Sequence, residues 1–515
     1  MDNVDVVVVG AGATGLMLAN ELAICGVSSV VLDREIGRLS HSKALALQPR
    51  TAEVFDLRGL IDGARERPLA SVNGHFAALP VPLTYTGWST PYPYMVAITQ
   101  SRVEALLEER AAANGVTIRR EHELTTMTQD ETGVTATVDT PHGQRQVRGR
   151  YLVGCDGGRS VVRKLAGVKF SGTPAVRFSV IADVVLKETG AELDSTWDDL
   201  GKTFGHRTAN GQVVSLLPLG EPNLHRLGYQ DPPISAETRD APVPTERLEE
   251  MLQSRYGDKA QIAEVRWVSC FGDASRQAEQ YRVDRVLLAG DAAHIHSPAG
   301  GQGLNLGVQD AMNLGWKLAA QVKGWAPEGL LDTYQLERHP VAAQVLHNTR
   351  AQSLFLDTTS AADERVEAMR ELFTTLMSIP DVNRHLAGMV SGLGIHYPIA
   401  GQHHHLAGAR LPDTEVTANG KPQRTSVLLR TGKGLLLTNA DSDATTATQW
   451  ADRVDVVRTP QMTVSGSVVG ALLVRPDGYI CWAQTTQDAA RLSGEVPAPA
   501  ELVDSLIQWF GQPVR

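Results

Sequence analysis

Three stretches of the chain place glycine beside an acid directly after a short apolar run. The first is Gly10-Ala11-Gly12-Ala13-Thr14-Gly15, which follows the β-branched run 5–9; Asp33 closes the next such run, 29–32. Strand, tight turn, helix and a second strand ending in an acid form the dinucleotide fingerprint. Gly10 makes the turn, Gly12 lets a pyrophosphate approach, Gly15 lets helix and strand pack, and Asp33 takes a ribose hydroxyl. The second stretch, Cys155-Asp156-Gly157-Gly158-Arg159-Ser160, ends the apolar run 151–155. The third, Gly290-Asp291, ends the run 286–289 and leads into a loop, 297–303, holding one proline and three glycines. A helix from about Leu304 aims its free N–H groups and positive dipole end at that loop. Glycine backbone lets a flat ligand approach closely, so an isoalloxazine with its ribityl chain is one group that suits the loop. The fingerprint alone fits NAD or FAD, and its acid disfavours a 2′-phosphate there. Three anchors together fit one long cofactor laid across one sheet.

The elements around these anchors predict an α/β fold with an inserted unit. Helices are expected at 16–24, 49–58, 103–114, 244–256, 304–322, 330–349, 362–377, 380–390 and 500–510. Residues 116–119, 134–138 and 144–148 read as a small β-meander, and 151–155 as a further strand. From 172 to 271 the texture turns to alternating strands, chiefly 177–185, 212–217 and 265–270, with Asn210-Gly211 as a hairpin turn. An inserted unit beside a nucleotide site, with the excursion 66–94, is the expected substrate pocket. After the helices, 394–408 is a linker, and strands return at 426–429, 435–438, 454–457, 468–474 and 479–483. Three consecutive histidines, His403, His404 and His405, do not face one point on regular structure, so a solvated loop is favoured over a metal site. Arg34 and Lys43 are cations that either face phosphates or are solvated.

Composition narrows the function classes. A net charge of −10 and a pI near 5.9 argue against a nucleic-acid or anionic-membrane surface as the main partner. The four cysteines are far apart and form no CxxC or metal-ligand spacing, so a reducing, cytoplasmic setting is expected. No basic leader and no run of about 18 apolar residues is seen, so neither a signal peptide nor a transmembrane helix is expected. A homodimer stays open.

GAGATG, CDGGRS and AGDAAHIHSPAGGQGLNLGVQDAMNLGWKL make residues 4–350 resemble the group A FAD-dependent aromatic monooxygenases, the p-hydroxybenzoate hydroxylase family. FGDASRQAEQYRVDRVLLAGDAAHIH, RHLAGMVSGLGIHY and LLVRPDGYICWA are similar to the actinobacterial hydroxylases of aromatic polyketides such as angucyclinones. The resemblance implies a glutathione-reductase-type FAD domain (1–171 and 272–400), a substrate-binding antiparallel sheet (172–271) and a thioredoxin-like C-terminal domain (401–515) that lacks CxxC. It implies FAD as cofactor, with Gly10, Gly12, Ala13, Thr14 and Gly15 at the pyrophosphate and Asp33 at the ribose. Gln100 would lie near the flavin-side ribityl and pyrophosphate, Leu124 at the adenine through its backbone, and Asp156 in a motif handling FAD and NADPH. Asp291 would bind the ribityl chain; Pro298, Gly301, Gly303, Leu304 and Asn305 would line the isoalloxazine. Arg34 and Lys43 are further cofactor candidates, although the family has arginine where Lys43 stands, and lysine lacks the bidentate fork.

The implied reaction is hydroxylation of a polycyclic aromatic polyketide by O₂, with NAD(P)H as reductant and a flavin C4a-hydroperoxide as the oxygenating species. The same frame would also serve a Baeyer–Villiger oxygenation. A general base would help to deprotonate a phenol. Asp183, His225, Tyr229 and His296 are the candidates, none singled out, and the catalytic residue stays open.

Overall fold

The computed structural model describes all residues except 1, 67, 188–192, 194, 206–207, 209–211, 232–233, 357–362, 403, 419, 461, 486–497 and 514–515. The Asn210-Gly211 turn and His403 lie outside the described residues.

Four parallel strands form the centre of the largest sheet, in the order Val286–Leu288, Gly143–Gly154, Asp2–Val9, Ser29–Leu32, with Thr117–Arg119 at the edge. Val6, Val7 and Val8 are fully buried because helices cover both faces of a parallel sheet, which leaves no polar side for alternation. The register aligns Val9 with Leu32 on one side and with Gly154 on the other, and Gly154 with Leu288. Gly10, Asp33, Cys155 and Ala289 therefore leave the sheet in one row. At about 4.8 Å per strand the row spans roughly 14 Å.

Two strand assignments change here. Residues 117–119 pair in parallel with Ser29–Leu32 and are not part of the meander. The meander's first strand is instead Glu123–Gln129, whose polar, threonine-rich sequence carries little apolar alternation. The expected strands 144–148 and 151–155 are one strand, Gly143–Gly154, which pairs antiparallel in its first half and parallel in its second.

A second sheet of four antiparallel strands, Phe178–Leu186, Val214–Pro218, Leu224–Gln230 and Ile262–Gly272, is backed by the helix Thr245–Tyr256. A small sheet of Phe170–Thr173, Ser275–Ala278 and His294–Ile295 joins the two, so the chain enters and leaves the inserted unit beside the third anchor. The helix Gly303–Lys323 packs on the first helix, Ala13–Ile24: a Cβ on Gly315 would lie 2.4 Å from Glu21 Cβ, so only glycine allows the approach. The helix expected at 330–349 begins at Thr333 and runs to Leu356. The helix expected at 362–377 spans Glu364–Met377.

The C-terminal part holds a mixed five-stranded sheet of Gly434–Thr438, Val454–Arg458, Met462–Val464, Ser467–Val474 and Ile480–Thr485, closed by Ala500–Phe510. Residues 426–429, expected as a strand, begin with the helix Thr425–Leu428; Asp413 Oδ1 accepts the Ser426 N–H at 2.9 Å and so caps its start. That tertiary contact overrides a short apolar run that reads equally as strand or helix. Arg475 is fully buried at the join, donating to Glu337 Oε1 at 2.5 Å beside Lys317 and Asp477.

Candidate cofactor site

The row of strand ends begins with the two glycines of the fingerprint that packing demands. A Cβ on Gly10, whose φ is 106°, would sit 2.4 Å from the Cys155 carbonyl oxygen, and one on Gly15 would sit 2.0 Å from that of Gly10. Gly12 is different. Nothing comes nearer to its Cβ position than Glu104 Oε1 at 3.7 Å, so open space lies over the start of the first helix. That is the cradle a pyrophosphate fits: the N–H groups of Thr14 and Gly15 precede the first intrahelical bond, Leu16 N–H to Gly12 O at 3.0 Å, and that of Ala13 meets Glu104. Asp33 is fixed by accepting from Ala11 N–H at 2.5 Å and Glu35 N–H at 2.9 Å. Its remaining lone pairs are available to a ribose hydroxyl.

Gln100 stands at the head of the helix Gln100–Ala113 and joins two parts of the cradle. Its Oε1 accepts Ala44 N–H at 3.2 Å and its Nε2 donates to Glu104 Oε1 at 2.8 Å. Glu104, absent from the sequence-based set, reaches Ala13 N–H. Burial pushes its pKa above the usual carboxylate value, against the opposing hydrogen bonds from Gln100 and Ala13. Its signal was the helical spacing from Gln100 to Glu104, one turn apart on the same face. Lys43 is exposed, and Arg34 pairs with Glu35 at 3.2 Å with its side chain 66% exposed. The structure thus leaves both cations on the surface. Leu124 is buried in the meander opposite Val138, beside a register shift in the strand pairing.

The middle anchor turns its carboxylate inward. Asp156 accepts from Ser160 Oγ at 2.6 Å and from the N–H groups of Val161 and Val162 at 2.6 and 3.1 Å, capping the short helix Val161–Leu165. The loop backbone beside it is open: Gly157, at φ 79°, has nothing within 4 Å of its Cβ position.

At the far end Thr14 fills the gap between two glycines: Cβ atoms on Gly290 and Gly307 would lie 2.6 and 2.3 Å from its Oγ1. Asp310, also outside the sequence-based set, fixes the turn. Its fully buried carboxylate accepts from Gly290 N–H at 3.1 Å, His294 Nε2 at 2.6 Å and Arg338 Nε at 2.7 Å. Burial would raise its pKa, but Arg338 and His294 outweigh that and hold it below the ordinary value. Asp291 is exposed, and its carboxylate has no hydrogen-bond partner among the described residues, which suits a hydroxyl of a bound chain. Gly300 and Gly301 have φ of 72° and 62°, and Gly301 has open space at its Cβ position. Pro298 caps the short turn Ala299–Gly301. The long helix makes its first bond from Leu306 N–H to Gln302 O, so Gly303, Leu304 and Asn305 present free N–H groups. The Asn305 side chain serves the loop instead, accepting from Gln48 N–H at 2.7 Å and donating to Ala46 O and Gly301 O at 3.1 and 2.8 Å.

Strand register sorts the base candidates. His225 pairs with Val184 and Tyr229 with Val180, on the face packed against Leu248, Met251 and Leu252, away from the row of anchors. Asp183 lies on the other face but is held by Arg226. His296 sits beside Gly303 with Nδ1 on Ser297 O at 2.7 Å; its Nε2 is buried without a partner, and burial lowers its pKa. Among the described residues no cluster could hold a metal ion, and no helix is long and apolar enough to cross a membrane.

A nucleotide fingerprint and a dipole-headed glycine loop at two ends of one row of strands define a class, the FAD-binding oxidoreductases. The family described as FAD binding domain matches residues 3–349, and that described as aromatic-ring hydroxylase, C-terminal, matches 404–513. The chain belongs to this family of FAD-dependent aromatic-ring monooxygenases. It is 44% identical to a 12-dehydrotetracycline 5-monooxygenase/anhydrotetracycline 6-monooxygenase of Streptomyces rimosus subsp. rimosus, over 99% of each chain. The structure of OxyS anhydrotetracycline hydroxylase from Streptomyces rimosus superposes with a TM-score of 0.87 at 42% identity, over 99% of this chain and 100% of that one. CabE, an aromatic hydroxylase from angucycline biosynthesis, superposes with a TM-score of 0.85 at 38% identity, over 99% and 100%.

Proposed function

We propose that the protein is a single-component FAD- and NADPH-dependent monooxygenase that hydroxylates a ring of a polycyclic aromatic polyketide. The observation that carries this reading is the single row of strand ends, open over Gly12 at one end and over Gly301 at the other. In it Gly12, Ala13, Thr14 and Gly15 hold the diphosphate and Asp33 a ribose hydroxyl. Asp291 takes the ribityl chain. Pro298, Gly301, Gly303, Leu304 and Asn305 border the ring, where helix N–H groups stabilise negative charge. FAD, reduced by NADPH, supplies O₂ activation and oxygen transfer to an electron-rich ring. The chain's own work is to bind, to orient the ring and to exclude water. The relatives' names, anhydrotetracycline hydroxylase and angucycline aromatic hydroxylase, support hydroxylation over Baeyer–Villiger insertion. NADPH as reductant and four cysteines held as free thiols go with a cytoplasmic setting.

The test is aerobic turnover of FAD-loaded protein with NADPH and a panel of anhydrotetracycline and angucyclinones, followed by product mass and NMR connectivity. A ring carrying one new hydroxyl is expected. A ring-expanded lactone overturns hydroxylation, and folded protein that refuses FAD overturns the whole reading.

A further inference from the structure

Three successive carbonyls of the flavin loop are each held by a buried side-chain amide. Ala299 O accepts from Gln302 Nε2 at 3.2 Å, Gly300 O from Gln48 Nε2 at 2.8 Å, and Gly301 O from Asn305 Nδ2 at 2.8 Å. In a trans peptide the N–H points opposite to the C=O, so these contacts turn the N–H groups of Gly300 and Gln302 away from the buried side of the loop. The first contact continues into the protein. Asn348 Nδ2 donates to Gln302 Oε1 at 3.4 Å, Gln352 Nε2 to Asn348 Oδ1 at 2.8 Å, and Ala77 N–H to Gln352 Oε1 at 2.9 Å. Asn348 and Gln352 are both buried, one turn apart on the helix Thr333–Leu356.

The two ends give this chain of amides one direction. A backbone N–H only donates, a backbone carbonyl only accepts, and each side-chain amide carries one oxygen and one NH₂. With Ala77 N–H at one end and Ala299 O at the other, every amide must turn its NH₂ towards the flavin loop. Turning one over sets donor against donor on one side and acceptor against acceptor on the other, which is costly in a buried site. The far end is strained: Ala77 and Ala78 have φ of 51° and 52°. Such a conformation is unfavourable for a residue with a Cβ, and two together persist only where their surroundings hold them. Gln352 Oε1 holds the Ala77 N–H, and His75 Nδ1 accepts the Ala78 N–H at 3.2 Å. The turn also packs on the inserted unit through the helix Leu200–Gly205. A Cβ on Gly201 would lie 2.8 Å from Leu79 O, and the His75 and Phe204 rings are 5.2 Å apart.

We infer that Gln302, Asn348 and Gln352 are positioning residues that set the peptide planes of the flavin loop from the strained turn at Ala77–Ala78, and so hold that loop in register with the inserted unit. None of the three needs to touch flavin or substrate. This rests on the FAD-dependent hydroxylase reading and adds to it the link between the two halves of the site. With the relay cut, the loop holds the ring less firmly. A larger share of the NADPH then goes to the side reaction NADPH + H⁺ + O₂ → NADP⁺ + H₂O₂ instead of to hydroxylated product.

Gln352→Met and Asn348→Leu cut the relay at different links with little change in volume, and Asn348→Leu leaves the support of Ala77 in place. Thr349→Val is the control, since Thr349 is fully buried on the same helix and its Oγ1 bonds to Val345 O and Leu346 O of that helix. FAD affinity, the visible flavin spectrum and unfolding temperature are measured for wild type, the three single variants and Gln352→Met/Asn348→Leu. Hydrogen peroxide formed per NADPH oxidised is measured with anhydrotetracycline. Each relay variant is expected to weaken FAD binding roughly three- to tenfold, to shift the flavin band and to raise the peroxide share. The double variant is expected to go no further than the worse single one, because one broken link suffices. Thr349→Val is expected to lower the unfolding temperature with wild-type flavin properties. If Gln352→Met does not fold, Asn348→Leu set against Thr349→Val decides. Relay variants with wild-type FAD affinity and spectrum, changes matched by Thr349→Val, or losses that multiply in the double variant overturn the relay and leave the hydroxylase reading standing. Folded wild type that binds no FAD overturns both.

Discussion

Arg226 donates from Nε to Asp183 Oδ1 at 2.5 Å and from Nη2 to the backbone oxygen of Ser42 at 2.6 Å, tying the inserted sheet to the loop that feeds the cofactor cradle. Trp267 covers this pair and stacks on His41 with ring centroids 4.5 Å apart. Two strands and one loop, distant in sequence, are thereby fixed by one buried guanidinium.

Asp183→Asn is expected to leave that guanidinium uncompensated and to cost about 3–5 kcal/mol. Urea unfolding gives the magnitude. FAD affinity should fall as well, because the loop that positions Ala44 against Gln100 loses its anchor. Unchanged affinity in a destabilised variant would limit the pair to a structural role.

Gly12 and Gly10 should separate binding from folding. Gly12→Val has room and an extended backbone, with φ −78° and ψ 179°. It is expected to change stability by no more than about 1–2 kcal/mol and to abolish flavin binding. Gly10→Val meets the Cys155 carbonyl at a positive φ and is expected to cost roughly 3 kcal/mol or more. Unfolding curves of the flavin-free proteins, set beside FAD titrations, decide it.

Glu104 makes cofactor affinity depend on pH. Its pKa is raised, and its ionised form puts a negative charge beside the diphosphate cradle. FAD affinity should therefore fall as pH rises through that value, by roughly tenfold. Glu104→Gln should remove the dependence. Parallel pH profiles for the two proteins would refute it.

Glu337 ties the C-terminal part to the helix pair beneath it. Burial pushes its pKa up, but Arg475 and Lys317 override this and leave it at about 2. A depressed carboxylate contributes stability that is complete above its unfolded value, near 4.5, and is lost as pH falls toward 2. Lys317 has the opposite sense: burial lowers it to about 8, so its cost is absent above about 10.5 and full below about 8. Glu337→Gln is expected to cost about 3–5 kcal/mol near neutral pH, with the loss shrinking in acid. Urea midpoints across pH 3 to 7 (roughly the window of the carboxylate shift) check this.

Much of the site could be read from the chain because its determinants are local. A turn that needs a positive φ selects glycine at Gly10, Gly300 and Gly301. A buried parallel strand selects an unbroken β-branched run, and a helix start beside a glycine loop is a matter of neighbouring residues. Glu104 and Asp310 were missed because neither lies in a glycine turn. Their importance comes from helices that bring them against Ala13 and Gly290.

The sequence by itself determined which backbone turns exist and which cofactor chemistry they serve, since steric limits on φ and the exposed N–H groups of a helix start act within a few residues. Only the tertiary structure decided which side chains remain available for that chemistry. Asp156 caps its own helix, Asp310 is held by Arg338 and His294, and His225 and Tyr229 turn to the far face of their sheet. A carboxylate or imidazole reads the same in any sequence, and the partners that occupy it arrive from strands and helices elsewhere in the chain.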